Sequence, residues 1–326
     1  MLVPFIYEQY GLLCEQDESN RSSGLLYGND SLFLFLKNHF YLQDMRALAG
    51  LTHSLRLQGE EDIAMMIPDL RGEYVTTFQG VPVVLLSVSN DSRKNVQMPE
   101  ELAGFHNRST LAAAEQAEHS SYMNGTTYWA KRIDDLRNQY YQSLRQEQLS
   151  PFKARFMSVF PYFSGLAENA IQYMTDLRID KGLIEPPAVC HYRFSNETWG
   201  RSGKRVKNPA DWVIDHPSRD LAEWLRRSVW NGQIQTEQQL IDFLNQYHQE
   251  REITSHTKAM IYGRLLFPIP FIEIAEEYFA LDGERDEEQW CGKLEACISR
   301  TESYVAFLRW YSDRVFHDVK VVDWLS

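Results

Sequence analysis

The chain has 326 residues, 44% of them hydrophobic, which suffices for one large core or two unequal ones and excludes a peptide or a disordered tail. Its 45 acidic and 33 basic side chains leave a formal charge of −12, which excludes a general nucleic-acid binder, because such binding rests on clustered Lys and Arg neutralising phosphates. No stretch approaches the ~20 apolar residues of a membrane span, and the start, "MLVPFIYEQYGLLCEQDE", lacks the basic region and long apolar core of a signal peptide. Synthesis and folding in the cytosol are therefore expected.

From 24 to 40, "GLLYGNDSLFLFLKNHF" carries two β-prone runs around the turn "YGND", which predicts a hairpin. Residues 43–58 switch to helical spacing, with Met45, Leu48, Leu51 and Leu55 on one stripe and Gly59 as the stop. Three β-type segments follow in "IAMMIPDLRGEYVTTFQGVPVVLLSVS". The polar stretch 89–98 then marks a boundary, and beyond it the texture is helical: "PEELAGFHNRS", 127–148 and 151–178. One island of strand character, "PPAVCHYRF" and "ADWVID", interrupts the helices, and its two runs flank the loop "SNETWGRSGKRVKNP". A patterned helix begins at Arg219. From 236 to 312 the chain is helical again, broken by "FPIPF", whose prolines predict a bend between packed helices, and by the solvated acidic loop "LDGERDEE". Cys14, Cys190, Cys291 and Cys297 are scattered with no C-x-x-C pair or zinc-ligand spacing, so reduced and mostly buried thiols are expected.

The fold class read from this order is α+β. A β-rich first lobe with one helix covers residues 1–90, and a mainly helical second lobe covers residues 91–326, with a catalytic-loop-like hairpin at 187–216. The stretches "ELAGFH" (101–106), "VCHYRF" (189–194), "WVIDHPSRDLAEWLR" (212–226) and "YGRLLFPIPFIEIAEEYF" (262–279) resemble the spore-coat CotS family and most closely its YutH-type members. That family belongs to the aminoglycoside and choline kinase-like superfamily, so the resemblance implies a two-lobed kinase-like fold.

It also implies roles that can be tried position by position. His191 falls on the His that opens the family's His-x-Asp loop, where it is architectural or takes part in proton transfer. Where the reacting Asp belongs stands Arg193, whose guanidinium stays protonated and cannot serve as a base. Asp215 falls on the metal-holding Asp and reads equally as the cap of the following turn. The second metal ligand is normally an Asn, yet Asn196 comes about two positions early and Thr198 occupies the nearer place. Asp220 matches an Asp that braces the catalytic loop or caps the next helix. Lys37 is the one candidate for a nucleotide-pairing lysine, with only Asp44 offered by the 43–58 helix, and no Gly-rich phosphate loop precedes it. The basic residues Arg201, Lys204, Arg205 and Lys207 read as a solvated hairpin tip or as a contact for an anionic partner.

The resemblance, together with these departures, implies a pseudokinase of the endospore coat, acting in coat assembly without a cofactor. Its partners would be other coat proteins, with no nucleic acid and no membrane, and its place would be the mother-cell cytoplasm and then the coat. A residual small-molecule kinase or nucleotide binder using ATP and Mg²⁺ is the alternative.

Overall fold

A computed structural model of the chain describes residues 2–16, 25–28, 32–37, 44–88, 98–115, 121–181, 185–201, 204–232, 236–281 and 286–315. The chain divides into two compact units. The first comprises Met1–Ser120, Pro186–Pro217 and Gln249–Arg251; the second comprises Ser121–Glu185, Ser218–His248 and Glu252–Ser326. No described helix is long and apolar enough to cross a membrane.

The first unit is built on a six-stranded sheet. Its strands are β1 (Glu15–Gln16), β2 (Leu25–Tyr27), β3 (Leu32–Lys37), β4 (Met65–Ile67), β5 (Thr76–Phe78) and β6 (Val81–Val88). The order is β1-β2-β3-β6-β4, with β5 paired to β6. β2 and β3 form the predicted antiparallel hairpin, in the register Leu25↔Leu34 to Tyr27↔Leu32, and its turn residues 29–31 lie outside the described residues. The β5–β6 hairpin closes through Gln79 and Gly80, both at positive φ (52° and 77°), the left-handed pair that a two-residue hairpin loop requires. Continuous apolar runs in β3 and β6 predict burial, and Leu32, Leu34, Val84, Leu85 and Leu86 are all inside.

Helix α1 (Leu2–Tyr10), which the sequence reading did not assign, packs Ile6 and Tyr10 into a cluster with Cys14, Leu26, Phe33 and Leu85. Helix α2 (Met45–Leu57) buries the predicted stripe at Leu48, Leu51 and Leu55; its N-cap is Asp44, which accepts the N–H groups of Arg46 and Ala47 at 3.0 Å. Helix α3 (Met98–Ala114) also belongs to this unit. Residues 89–97, where the sequence places its boundary, lie outside the described residues.

The second unit is helical: α4 (Ser121–Ser143), α5 (Pro151–Lys181), α6 (Ser218–Trp230), α7 (Glu237–Glu250), α8 (Ser255–Leu266), α9 (Ile269–Ala280), α10 (Glu287–Ser299) and α11 (Thr301–Val315). The last two residues of α7 are counted with the first unit. "FPIPF" separates α8 from α9 at Phe267 and Pro268, as the prolines predict. Gly263 in α8 is a packing requirement, because a Cβ there would stand 2.5 Å from the Met174 sulfur and 2.9 Å from the Tyr173 ring on α5. In α6 the polar run "SRDLAEWLR" is inside: Arg226 pairs with Glu223 and donates to the carbonyl of Arg264, whose own Nε donates to Ser218 at 3.0 Å. Buried charge is tolerated there because each partner is held. Two of the four family-like stretches thus interlock within this unit. The four cysteines are free thiols, and burial pushes Cys297 up to about 12.

Candidate functional site

The loop hairpin of the first unit positions the residues singled out from sequence. Strand β7 (Ala188–His191) pairs antiparallel with β8 (Trp212–Asp215), from Trp212↔His191 at one end to Asp215↔Ala188 at the other. His191 and Asp215 therefore stand at opposite ends of a four-pair ladder, roughly 10 Å apart along its axis at ~3.4 Å per residue. Directly paired residues share a face and neighbours alternate, so His191 goes with Trp212 while Asp215 goes with Val213 on the other face. The two do not converge on one point.

His191 is fully buried, and its Nε2 accepts the indole N–H of Trp199 at 2.9 Å. The rings of Phe105, Phe194 and Trp199 surround it at 5.7, 5.0 and 5.6 Å. Phe105 comes from "ELAGFH" on α3, so two stretches that are distant in sequence meet at this ring cluster. A ring nitrogen that accepts from a buried indole holds a side chain in place.

Past His191 the loop is organised by its own side chains. Arg193 is half-buried, with its guanidinium 4.4 Å from the centre of the Tyr192 ring and an N–H donated to the Tyr192 carbonyl at 2.8 Å. Thr198 accepts the N–H of Ser195 at 2.7 Å, and the Ser195 hydroxyl donates to Glu197 at 2.8 Å. Asn196, the expected second metal ligand, is exposed on the turn. Asp215 is 1% exposed and accepts the N–H of the next residue, His216, at 2.7 Å. Asp220 belongs to the other unit. It is the third residue of α6, fully buried in the first turn, where a carboxylate complements the positive end of the helix.

Lys37 ends β3 opposite Val83 and is exposed, with no ion pair among the described residues. Asp44 uses its carboxylate as the α2 cap.

A charged cluster that the sequence reading missed lies beside the histidine. Lys207 is 2% exposed and pairs with Glu60 and, at 2.8 Å, with Glu101. Arg205 pairs with Glu101 and with Asp62 at 3.4 Å, and Arg108 donates to Glu60 at 2.6 Å. Three cations thus meet three carboxylates. Backbone bonds close the same junction, from Lys207 N–H to the Asp62 carbonyl at 2.9 Å and from Ala64 N–H to the Lys207 carbonyl at 3.1 Å. Burial pushes the Lys207 ammonium below its ordinary value, against the pull of Glu60. The ammonium also sits 4.7 Å from the Trp199 ring and 5.3 Å from Phe105. For Arg205 and Lys207 the solvated-tip expectation is therefore corrected: alternation along "RVK" turns both inward, onto the acidic run "EED" that ends with Asp62. That pairing of a basic run with an acidic run was the available sequence signal. The side chains of Arg201 and Lys204 lie outside the described residues.

Comparison with known proteins agrees with this geometry at the level of fold and family. The family model described as "Spore coat putative kinase YutH" matches residues 4–311. The chain is 29% identical to the endospore coat-associated protein YutH of Bacillus subtilis (strain 168) over 308 residues, 93% of this chain and 90% of that protein. Among solved structures it is similar to an aminoglycoside phosphotransferase from Alicyclobacillus acidocaldarius, with a TM-score of 0.64, 14% identity and 94% and 92% of the two chains covered. It is also similar to a spectinomycin phosphotransferase solved with ADP and spectinomycin, with a TM-score of 0.56, 10% identity and 91% and 93% covered. The α+β order of elements and a strand ending in His191 paired to one ending in Asp215 suit the kinase-like fold of these structures, and the chain belongs to the YutH family of spore-coat proteins.

Proposed function

We propose that this chain is an endospore coat-associated protein whose kinase-like fold serves coat assembly through binding and structure, without phosphotransfer. The observation that carries the reading is Arg193, a permanently charged guanidinium laid over Tyr192 where a hydroxyl-activating carboxylate would stand. Loss of a positioned base alone lowers rate by ~10²–10⁴. The neighbouring positions do not fit a magnesium-bound nucleotide either. Asp215 is inside and holds the His216 N–H, Thr198 accepts from Ser195, and Asn196 is exposed on a turn. Hard-cation sites need several oxygens converging at about 2.0–2.1 Å for magnesium, and of these residues Asn196 is exposed while Thr198 is engaged with Ser195. Association with the coat is carried over from the Bacillus subtilis relative by the identity that spans nearly the whole chain. Other coat proteins are the partners this reading implies, met first in the mother-cell cytoplasm.

Calorimetric titration and thermal shift with ATP, with and without Mg²⁺, are expected to give no metal-dependent binding. Tight, metal-dependent binding abolished by Asp215→Ala would replace this reading with that of a nucleotide binder. A fluorescent fusion followed through sporulation is expected to collect at the forming coat, and a diffuse vegetative signal would overturn the coat assignment.

A further inference from the structure

The second unit holds a cavity of about 240 Å³ that no part of the kinase-like reading uses. Helices α7, α8 and α11 wall it, and α7 presents Ile241, Leu244 and His248 to it at the helical spacing that lines up one face. Ile261 of α8 extends the aliphatic wall, and Lys258 and Arg314 supply charge. Among the described residues no Asp or Glu lines it, in a chain with twelve more acidic than basic residues.

The cations differ in how well the fold explains them. His248 and Arg314 stand in the last turns of their helices, where positive charge suits the helix dipole. Lys258 stands in the first turn of α8, where that dipole disfavours it, is half-buried, and has no ion pair among the described residues. His248 accepts the Ile253 N–H at Nδ1, at 2.9 Å, so the proton of the neutral ring is on Nε2 and that nitrogen can donate. Aliphatic walls with donors of one sign match an amphiphile that has a single anionic head. The volume lies below the ~300–1,000 Å³ of drug-sized ligand sites, so the occupant is smaller than a nucleotide.

We propose that this cavity is a binding site for a small aliphatic anion, its head held by Lys258 with His248 and Arg314 and its chain against Ile241, Leu244 and Ile261. Isothermal titration of the full chain with octanoate and with octyl phosphate tests it, with octylamine and acetate as controls. Saturable one-to-one binding of an octyl anion is expected, with neither control binding; the stronger of the two anions identifies the head as carboxylate or phosphate. Lys258→Met is expected to weaken binding roughly 10–100-fold, the range for a lost hydrogen bond to a charged group. Arg314→Met, at an exposed position, gives a second measurement that a folding defect at Lys258 cannot obscure. Flat titrations with both anions, equal binding of octylamine, or variants that melt like the parent and bind undiminished would overturn the site.

Discussion

Two polar groups flank the Trp199 ring, and they are held in opposite ways. His191, on the residue pair inherited from the catalytic loop, is fixed by one hydrogen bond and a shell of rings. Lys207, eight residues past Trp199, is fixed by carboxylates from two other segments of the chain. In a phosphotransferase, buried charge is arranged around phosphates and metal. Here the loop histidine is held by rings, and the buried charges beside it form a clasp of paired cations and anions. The loop and the sheet of this unit are thereby joined by paired charge and backbone bonds as well as by ring packing.

Removing one partner of that clasp is expected to have the largest effect. Lys207→Met leaves Glu60 and Glu101 buried with less compensating charge, and breaking a buried pair from one side costs about 3–5 kcal/mol. Chemical denaturation that reports on the first unit, through Trp199 or Trp212, should show a loss of that size. The double variant with Glu101→Gln should recover part of it, because the remaining pairs Arg108–Glu60 and Arg205–Asp62 then leave no charge in excess. A Lys207→Met chain as stable as the parent would mean that the clasp is solvated and that the contrast with His191 is false.

The histidine side of the comparison gives a smaller effect. Trp199→Phe keeps most of the ring packing and removes the indole N–H, leaving the buried His191 Nε2 without that donor; a cost of about 1–3 kcal/mol is expected. Full stability in Trp199→Phe would show that the hydrogen bond contributes nothing and that ring packing alone holds the loop.

Much of this was legible in the sequence, for identifiable reasons. The 25–37 hairpin, the α2 stripe and the FPIPF junction depend on local periodicity and turn chemistry, which neighbouring residues specify. The clasp was not legible as such. Glu60 and Lys207 are separated by 147 positions, and a charged run reads as solvated until its partner is known. Asp44 illustrates the same limit in reverse: at the start of a helix it could be read as an ion-pair partner for Lys37, yet the N–H groups of its own helix are nearer and take it. His191, Arg193 and Asp215 could be named from resemblance, but the register that sets His191 and Asp215 on opposite faces required the fold.

The smallest expected effect on stability, and the most direct probe of the candidate site, is Arg193→Asp. The guanidinium lies over Tyr192 and donates to the Tyr192 carbonyl, and a half-exposed contact of this kind contributes about 0.5–1 kcal/mol. The variant should therefore fold nearly as well as the parent. It also restores a carboxylate where the family's base would act, so a site disabled by one residue should regain measurable ATP turnover. None is expected. A base acts only on a bound hydroxyl in line with a held phosphate, and here Asp215 sits at the far end of the ladder while Asn196 is exposed on a turn. Magnesium-dependent turnover by Arg193→Asp would reverse the comparison: the loop would be a catalytic site missing one group, and the clasp beside it would belong to an enzyme.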